Sequence, residues 1–324
     1  MPGENMRAEI LEEPIAVANS VDEPEKAAQA ADFLGLSSGR IILSGNGTSF
    51  HACLVAAYGF FKLMGIYPLA VHASEFPEWD SEGARGAGFV VVSQSGESSD
   101  AVRAAKVARK NYRVLAITNH EHSQLAQEAQ MVLITRAGDE KAVTATKTFT
   151  TQLAVFYLLI AQAEKEKSKP IVEWLRTSPE KIKTVLSLDK EIRELAHSMK
   201  DEEKFFVLGS GASYPIALET SLKLKEAAGV FAEGFPTREF LHGPMQLMDK
   251  DTPIIAYGID PDVQKKALEY KVPVIDMLSL GLPESPEPLS PLLESTVAQL
   301  FAYHLALARG LDPDRPSKLG KVVR

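Results

Sequence analysis

The feature that most constrains this chain is an internal repeat at a fixed offset, from Gly45 to Gly209. The loop Gly45-Asn46-Gly47-Thr48-Ser49 aligns with Gly209-Ser210-Gly211-Ala212-Ser213. Without any gap, the same offset then pairs Gly65 with Gly229 and Glu75-Phe76 with Glu239-Phe240. Self-similarity over such a distance indicates two copies of one structural unit. The repeat therefore predicts two halves of the same architecture within 324 residues.

The first copy shows what that architecture is. Short apolar runs at 41–43, 89–92, 114–117 and 132–134 predict strands, and helical stretches follow up to Leu63, over 101–110 and over 144–162. Buried β-branched strands that alternate with helices are typical of a parallel sheet covered on both faces. We therefore expect an α/β protein made of two tandem αβα sandwiches, each with a parallel doubly wound sheet. The expected boundaries are an N-terminal helical segment at 1–28, a first domain at 29–165, connecting helices at 166–197 and a second domain with the C-terminal tail at 198–324.

Hydroxyl-rich loops follow two of the predicted strands in the first copy, and the longer of the two loops is absent from the second copy. Thr48-Ser49 comes after one strand, and Ser93-Gln94-Ser95-Gly96, with Ser98, comes after another. Hydroxyls and backbone N–H groups at helix starts hold phosphate in such folds. The second copy has Tyr257-Gly258-Ile259-Asp260 at the place of the longer loop. The pattern favours a phosphate site over a plain turn, and it lacks the lysine of a nucleotide P-loop and the dinucleotide glycine fingerprint.

Composition excludes several classes of function. The net charge of −8 argues against broad nucleic-acid binding, which depends on clustered lysine and arginine. No apolar run reaches the roughly 18 residues of a membrane span, and the acidic start lacks a signal peptide, so we expect no membrane association and a cytoplasmic location. The single cysteine, Cys53, is expected in the core, and no metal or other cofactor is expected.

The second copy carries ionisable groups where the first has neutral or different ones. Lys223 and Glu226 are three residues apart and can share a helix face, with Glu219 one turn earlier. An exposed ion pair is the ordinary interpretation of that spacing. Glu226 falls opposite Lys62 in the repeat, so the acid is not part of the shared scaffold. His242 precedes Gly243-Pro244, and its spacing leaves a structural and a functional role equally open.

Taken together, these motifs resemble the sugar isomerase (SIS) family. The motifs are Ser-Gly-Asn-Gly-Thr-Ser at 44–49, Ser-Gln-Ser-Gly-Glu at 93–97, Thr-Lys-Thr-Phe-Thr-Thr-Gln-Leu at 146–153, Leu-Lys-Leu-Lys-Glu at 222–226 and His-Gly-Pro at 242–244. They are most similar to the isomerase domain of glucosamine-6-phosphate synthase and to stand-alone glucosamine-6-phosphate deaminases. The resemblance covers nearly the whole chain in order.

The resemblance implies a role for each matching residue. It implies that a phosphorylated sugar or amino sugar is held by Thr48, Ser49, Ser93, Gln94, Ser95 and Ser98, with Val143 and Lys223 also lining the pocket. Glu226 would move a proton between C1 and C2, and His242 would open the ring from a neighbouring subunit, which implies a homodimer. Lys321, rather than Lys318, would close on the open-chain sugar.

Three departures from the family pattern lie near the implied pocket. Asn46 stands where cysteine is frequent, Ala145 where the synthase has serine, and Arg238 where it has glycine. Met1 is followed by Pro2, and no cysteine nucleophile of a glutaminase domain precedes the isomerase half. We therefore expect a hexosamine-6-phosphate deaminase/isomerase. The alternatives are a plain aldose-ketose isomerase, a fructosamine-phosphate deglycase, an ammonia-using or split synthase subunit served by a separate glutaminase, and a non-catalytic sugar-phosphate sensor.

Overall fold

The computed structural model describes residues 2–36, 39–80, 85–164 and 168–321. Within these ranges the chain forms nine strands: β1 Ile41–Gly45, β2 Leu69–His72, β3 Gly88–Val92, β4 Arg113–Thr118, β5 Met131–Ile134, β6 Lys204–Gly209, β7 Phe231–Pro236, β8 Ile254–Tyr257 and β9 Val274–Asp276. All observed strand pairs are parallel, in one sheet of order β2-β1-β3-β4-β5 (sheet A) and another of order β7-β6-β8-β9 (sheet B). The predicted α/β class with two parallel doubly wound sheets is confirmed.

Thirteen α-helices accompany the strands in the described ranges. They are α1 Glu4–Leu11, α2 Glu13–Ser20, α3 Pro24–Leu34, α4 Thr48–Met64, α5 Phe76–Trp79, α6 Ser99–Ala108, α7 Gln124–Glu128, α8 Lys147–Ala163, α9 Ser168–Leu186, α10 Asp189–Ser198, α11 Ser213–Lys223, α12 Pro261–Tyr270 and α13 Pro291–Ala308. A π-helical turn, Leu224–Ala228, continues α11, and short 3-10 turns occupy Glu239–His242, Pro244–Leu247 and Met277–Leu280. None of these helices combines the length and apolar content needed to cross a membrane.

The chain divides into two compact units. The sheet A unit comprises Glu12–Glu140, Lys147–Pro179 and the chain from Gly320 on. The sheet B unit comprises the chain up to Leu11, Lys141–Thr146 and Glu180–Leu319. Both units therefore draw on distant parts of the sequence.

Helices cover both faces of sheet A. One face packs on α5 and α6 through a core that contains Phe76, Phe89 and the alanines of α6. On the opposite side, α8 packs against α3 and α4. Nearly every residue of α8 is buried, which explains its apolar composition, and Cys53 of α4 is fully buried as expected. The unit is a three-layer αβα sandwich.

Sheet B repeats the plan with four strands. Phe206, Phe240 and Val263 belong to the core between the sheet and α12. On the other face, α11 packs against β6, β7 and α13. The glycines at the repeat offset end the corresponding helices alike, because Gly65 has φ +68° and Gly229 has φ +66°, values that favour glycine. The repeat read from the sequence is thus a repeat of structure.

One predicted helix boundary is wrong. The apolar pattern over 144–162 predicts a helix from Thr144, whereas α8 begins at Lys147. The preceding residues are instead bonded in the sheet B unit, where the Val143 N–H donates to the Asp314 carbonyl and the Thr144 hydroxyl to the Pro313 carbonyl. A backbone partner about 170 residues away thus replaces the first helical turn.

Candidate active site

The strand order of sheet A defines a crevice between β1 and β3. The chain runs outward from β1 to β2 on one side and to β3, β4 and β5 on the other. In open parallel sheets, ligands bind at this reversal point, outside the carboxyl ends of the strands. Both hydroxyl-rich loops lie there, because residues 46–49 follow β1 and residues 93–98 follow β3. The sheet thus brings together the two loops that the sequence singles out.

The loop after β1 turns sharply into α4. Gly47 precedes the helix with φ +52°, a value that other residues adopt only at a cost. A Cβ added to Gly45 would lie 2.9 Å from the Ser49 backbone, so glycine permits the close approach of strand and helix. Thr48 is the first residue of α4, and the buried Ser49 hydroxyl accepts a hydrogen bond from Gln152 Nε2 at 3.2 Å. Gln152 lies in one of the family motifs, but sequence reasoning did not assign it this role.

The loop after β3 is held by its own hydroxyls. Ser93 Oγ accepts from the Gly96 N–H at 3.2 Å, and Ser95 Oγ accepts from the Glu97 N–H at 3.1 Å. Gly96 has φ +65°, and a Cβ there would lie 2.1 Å from Ser123 Oγ. Ser98 occupies the cap position of α6, yet its side chain makes no capping hydrogen bond. The first N–H groups of α6 therefore have no side-chain cap from Ser98.

Asn46 links the two loops. Its Nδ2 donates to Asp100 Oδ2 at 3.0 Å, in the first turn of α6, and its Oδ1 accepts from the Ser74 N–H at 3.3 Å. The residue that replaces the family's frequent cysteine is therefore a brace between three chain segments at one edge of sheet A.

The equivalent edge of sheet B already contains an anion. Asp260 caps α12 by accepting from the N–H groups of Asp262 and Val263, at 2.9 and 3.3 Å. Arg238 lies 3.2 Å from the Asp260 carboxylate and 2.7 Å from that of Asp262. The start of α12 is thus occupied by a carboxylate and its counter-ion, whereas Ser98 provides no side-chain cap at the start of α6.

A buried cation at the end of α11 lies between an acid of α11 and an acid of the π-helical turn that follows. Lys223 is fully buried, with its Nζ 3.3 Å from Glu219 Oε1 and 2.6 Å from Glu226 Oε2. Burial lowers the pKa of this ammonium, but the attraction and hydrogen bonds of the two carboxylates outweigh that effect and raise the pKa above its usual value. The ordinary interpretation of an exposed surface pair is therefore wrong. Lys223 stays charged beside Glu226.

Glu226 lies on the π-helical turn that follows Lys223. Single π turns within α-helices occur frequently at functional sites, because the wider turn redirects the side chains that follow. The corresponding residues of the first copy continue α4 as an ordinary α-helix up to Met64. Glu226 is 21% exposed, whereas Glu219 is 1% exposed. One carboxylate of the trio therefore reaches solvent, and the other is sealed in the core.

The remaining predicted residues lie on other elements. His242 ends the 3-10 turn Glu239–His242 in the sheet B unit and is exposed. Val143, in the same unit, is half-buried and bonded through its N–H to the tail at Asp314. In the sheet A unit, Lys321 Nζ lies 2.8 Å from Glu140 Oε2. Glu140 carries no signal in the sequence, because its partner is 181 residues away.

A family model provides an independent comparison. The model described as "SIS domain" matches residues 36–162 and 198–269, which is more than half of the chain. The chain belongs to the SIS domain family. The two matched segments correspond to the two sheets, so the SIS domain occurs twice in this protein.

Similar proteins with SIS domains are named for amino-sugar phosphates. The chain is 36% identical over 341 residues to a glutamine–fructose-6-phosphate aminotransferase (isomerizing) of Methanothermobacter thermautotrophicus, covering 98% of this chain and 57% of that protein. It spans little more than half the length of such relatives. A solved C-terminal domain of glucosamine-fructose-6-phosphate aminotransferase from Francisella tularensis is 29% identical with a TM-score of 0.85, and the alignment covers 97% of this chain and 98% of that one.

A solved glucosamine-6-phosphate deaminase also shares the fold. The Thermotoga maritima protein is 25% identical with a TM-score of 0.76, and the alignment covers 96% of this chain and 99% of that one. The SIS architecture seen here is therefore shared by proteins named for aminotransfer to, and deamination of, sugar phosphates.

Proposed function

We propose that this SIS protein is a hexosamine-6-phosphate deaminase/isomerase. It opens the ring of glucosamine 6-phosphate and moves a proton from C2 to C1. Water then hydrolyses the resulting imine at C2 to give fructose 6-phosphate and ammonia. The proposal is carried by the buried Lys223, which is held between Glu219 and Glu226, and by the fact that the Glu226 carboxylate reaches solvent.

The phosphate is assigned to the edge of sheet A. Thr48, Ser49, Ser93, Gln94, Ser95 and Ser98 surround the reversal point between β1 and β3, and α6 starts there without a cap from Ser98. A phosphate dianion is stabilised by such a helix start and by hydroxyl donors. Sheet B has Asp260 at the matching position, so we assign one phosphate site to each chain.

Glu226 is assigned the proton transfer. Moving a proton between adjacent carbons needs a carboxylate within hydrogen-bond reach of both. The enolamine intermediate that forms when C2 loses its proton develops negative charge on O1, and a nearby positive charge stabilises it. Lys223 supplies that charge at 2.6 Å from Glu226 Oε2. Because Glu219 also holds Lys223, the ammonium cannot move freely, and its position relative to Glu226 is fixed before substrate arrives.

Two further residues complete the proposed reaction. We assign ring opening to His242, whose exposed position suits donation to the active site of a second copy in a homodimer. Lys321 is assigned to the open-chain sugar, where an amine can engage the carbonyl. Val143 is assigned to the wall of the same pocket.

The deaminating direction is supported by the likeness to the Thermotoga maritima deaminase over nearly the whole of both chains. The test is the release of ammonia from purified protein and glucosamine 6-phosphate, with fructose 6-phosphate as the co-product. Production of fructose 6-phosphate from glucose 6-phosphate without ammonia release from any hexosamine phosphate would replace the proposal with a plain aldose-ketose isomerase.

A second candidate is the isomerase subunit of a split synthase, favoured by the 36% identity to aminotransferases. Its chemistry is the reverse, with ammonia consumed and glucosamine 6-phosphate formed. Incubation of fructose 6-phosphate with ammonium, and with a glutaminase plus glutamine, separates the two. A rate that rises much more with the glutaminase than with an equal concentration of free ammonium supports the split synthase.

A further inference from the structure

Glu140 is a buried acid that pairs with Lys321 near the end of the described chain. Its side chain has no exposed surface, and it accepts hydrogen bonds from the Thr148 N–H at 3.2 Å, from Thr148 Oγ1 at 2.8 Å and from Lys321 Nζ at 2.8 Å. Glu140 and Thr148 are only eight residues apart and lie in the sheet A unit, where α8 begins. The carboxylate is therefore fixed by the scaffold, independently of the tail.

Lys321 depends on Glu140 much more than Glu140 depends on Lys321. The residues before it, from Ser317 to Gly320, are exposed and in no regular element. Its side chain is 27% exposed and ends on the Glu140 carboxylate. A buried carboxylate with hydrogen bonds on both oxygens attracts a cation strongly, because water screens it little. The ion pair with Glu140 therefore ties Lys321 to the sheet A unit.

We propose that Glu140 is the positioning residue that sets where the Lys321 ammonium lies before substrate binds. This inference rests on the proposed function, since it assumes that Lys321 must reach an open-chain sugar. Glu140 itself need not touch the substrate. It acts by keeping the end of the chain docked on the sheet A unit, so that Lys321 does not sample the solvent and the phosphate loops receive a preplaced amine.

Limited trypsin digestion of the full chain without any ligand tests the placement. Glu140→Gln keeps the side-chain volume and one oxygen for the Thr148 N–H, and it removes the negative charge that pairs with Lys321. We expect cleavage after Lys318 and Lys321, followed by mass spectrometry, to be at least about fivefold faster in Glu140→Gln than in the wild type. The matched control is Glu203→Gln, which removes the carboxylate of an ion pair with Arg309 (2.7 Å), the residue that follows α13. Unchanged cleavage in Glu140→Gln, or equal acceleration in the control, would overturn the proposal.

Turnover provides a second readout that a merely structural role would not move. Because the phosphate loops are untouched, we expect Glu140→Gln to lower kcat at least tenfold with KM for glucosamine 6-phosphate within about twofold of the wild type, and Glu140→Asp to recover part of kcat. A tail that is released while kcat stays at the wild-type value would refute the link between placement and catalysis. If Glu140→Gln failed to fold, Lys321→Gln removes the same ion pair from the exposed side, and cleavage after Lys318 gives the same decision.

The digestion and the turnover measurement together separate this inference from the proposed function. Digestion is measured without substrate, so a wild-type protein inactive on every sugar phosphate would refute the proposed function and would not alter the result of the digestion.

Discussion

Ser98 and Asp260 are the N-cap residues of α6 and α12, the helices that follow β3 and β8, and of the two only Asp260 caps its helix with its side chain. The start of α12 therefore carries a carboxylate of its own, whereas Ser98 makes no capping hydrogen bond at the start of α6.

The first prediction follows from that difference. Ser98→Asp places a carboxylate at the start of α6, where it would cap the helix and repel a phosphate. We expect the affinity for glucosamine 6-phosphate to fall more than about tenfold, which corresponds to about 1.4 kcal/mol, as measured by calorimetry. Helix capping would leave the stability of the protein unchanged or slightly higher. Asp260→Ser is the matched control, for which we expect an affinity within about twofold of the wild type.

The second prediction concerns Glu226. Glu226→Gln keeps a hydrogen bond to Lys223 and removes the base, so we expect turnover to fall by roughly 100- to 10,000-fold. Ligand binding, followed as a thermal shift with glucosamine 6-phosphate, should persist. Glu233→Gln on β7 is the control for a neutralised acid of the same unit. Full activity in Glu226→Gln would remove this residue from the mechanism, and a wild type without activity on any sugar phosphate would favour a sensor.

The third prediction is a pH dependence from Glu294 on α13. Burial raises the pKa of this carboxyl to about 7, and the hydrogen bonds from Ser290 and Ser213 only partly oppose that effect. One such bond is seen at 2.9 Å from Ser213 Oγ. An acid whose pKa is higher in the folded state makes folding bind a proton between the two pKa values. The free energy of unfolding should therefore fall as pH rises from about 4.5 to about 7.

Glu294→Gln tests that dependence. It removes the ionisable group while keeping an acceptor for Ser213. Relative to the wild type, we expect the variant to gain stability with rising pH across this window, by about 3 kcal/mol at pH 8, because the pKa of Glu294 lies at about 7 in the folded protein. Urea unfolding at several pH values measures it. Parallel pH profiles for the two proteins would show that Glu294 does not titrate with a raised pKa.

The fourth prediction concerns Asn46. Asn46→Ala removes the amide that Asp100 accepts from and leaves that carboxylate facing the phosphate loops without this donor. We expect the dissociation constant for glucosamine 6-phosphate to rise roughly tenfold, the size of a lost hydrogen bond to a charged group. Asn46→Asp, with two adjacent carboxylates, should be weaker still. Equal affinity in all three proteins would show that Asp100 lies too far from the phosphate to matter.

Sequence could predict the parts of this molecule that depend on neighbours along the chain. The apolar runs predicted β1, β3, β4 and β5 within a residue or two, and the repeat predicted a second half of the same architecture. The helix after β3 begins at Ser99 rather than Ala101, a difference within the usual fraying of helix ends. The Gly-rich turns after β1 and β6 were recognised because their glycines recur at the repeat offset.

Contacts between distant segments could not be predicted in this way. The burial of Lys223 depends on α13 packing against α11, so the i,i+3 spacing to Glu226 could not distinguish a surface pair from a buried one. The wider turn at Leu224–Ala228 leaves no mark either, since the repeat continues to Gly229 without a gap. Likewise, Glu140 is recognisable only once its partner at Lys321 is placed.

The hydrogen bonds at Asp314 have a consequence for how the protein is made. This buried carboxylate accepts from the N–H groups of Asn5 and Met6, at 2.9 and 2.7 Å, and Asp312 accepts from that of Gly3. Met6 leaves the ribosome 308 residues before Asp314 does. The sheet A strands can pair during synthesis, but the first turn of α1 lacks these acceptors until translation of the chain has passed Asp314. The first turn of α1 therefore gains these hydrogen bonds only after the segment that contains Asp312 and Asp314 has left the ribosome.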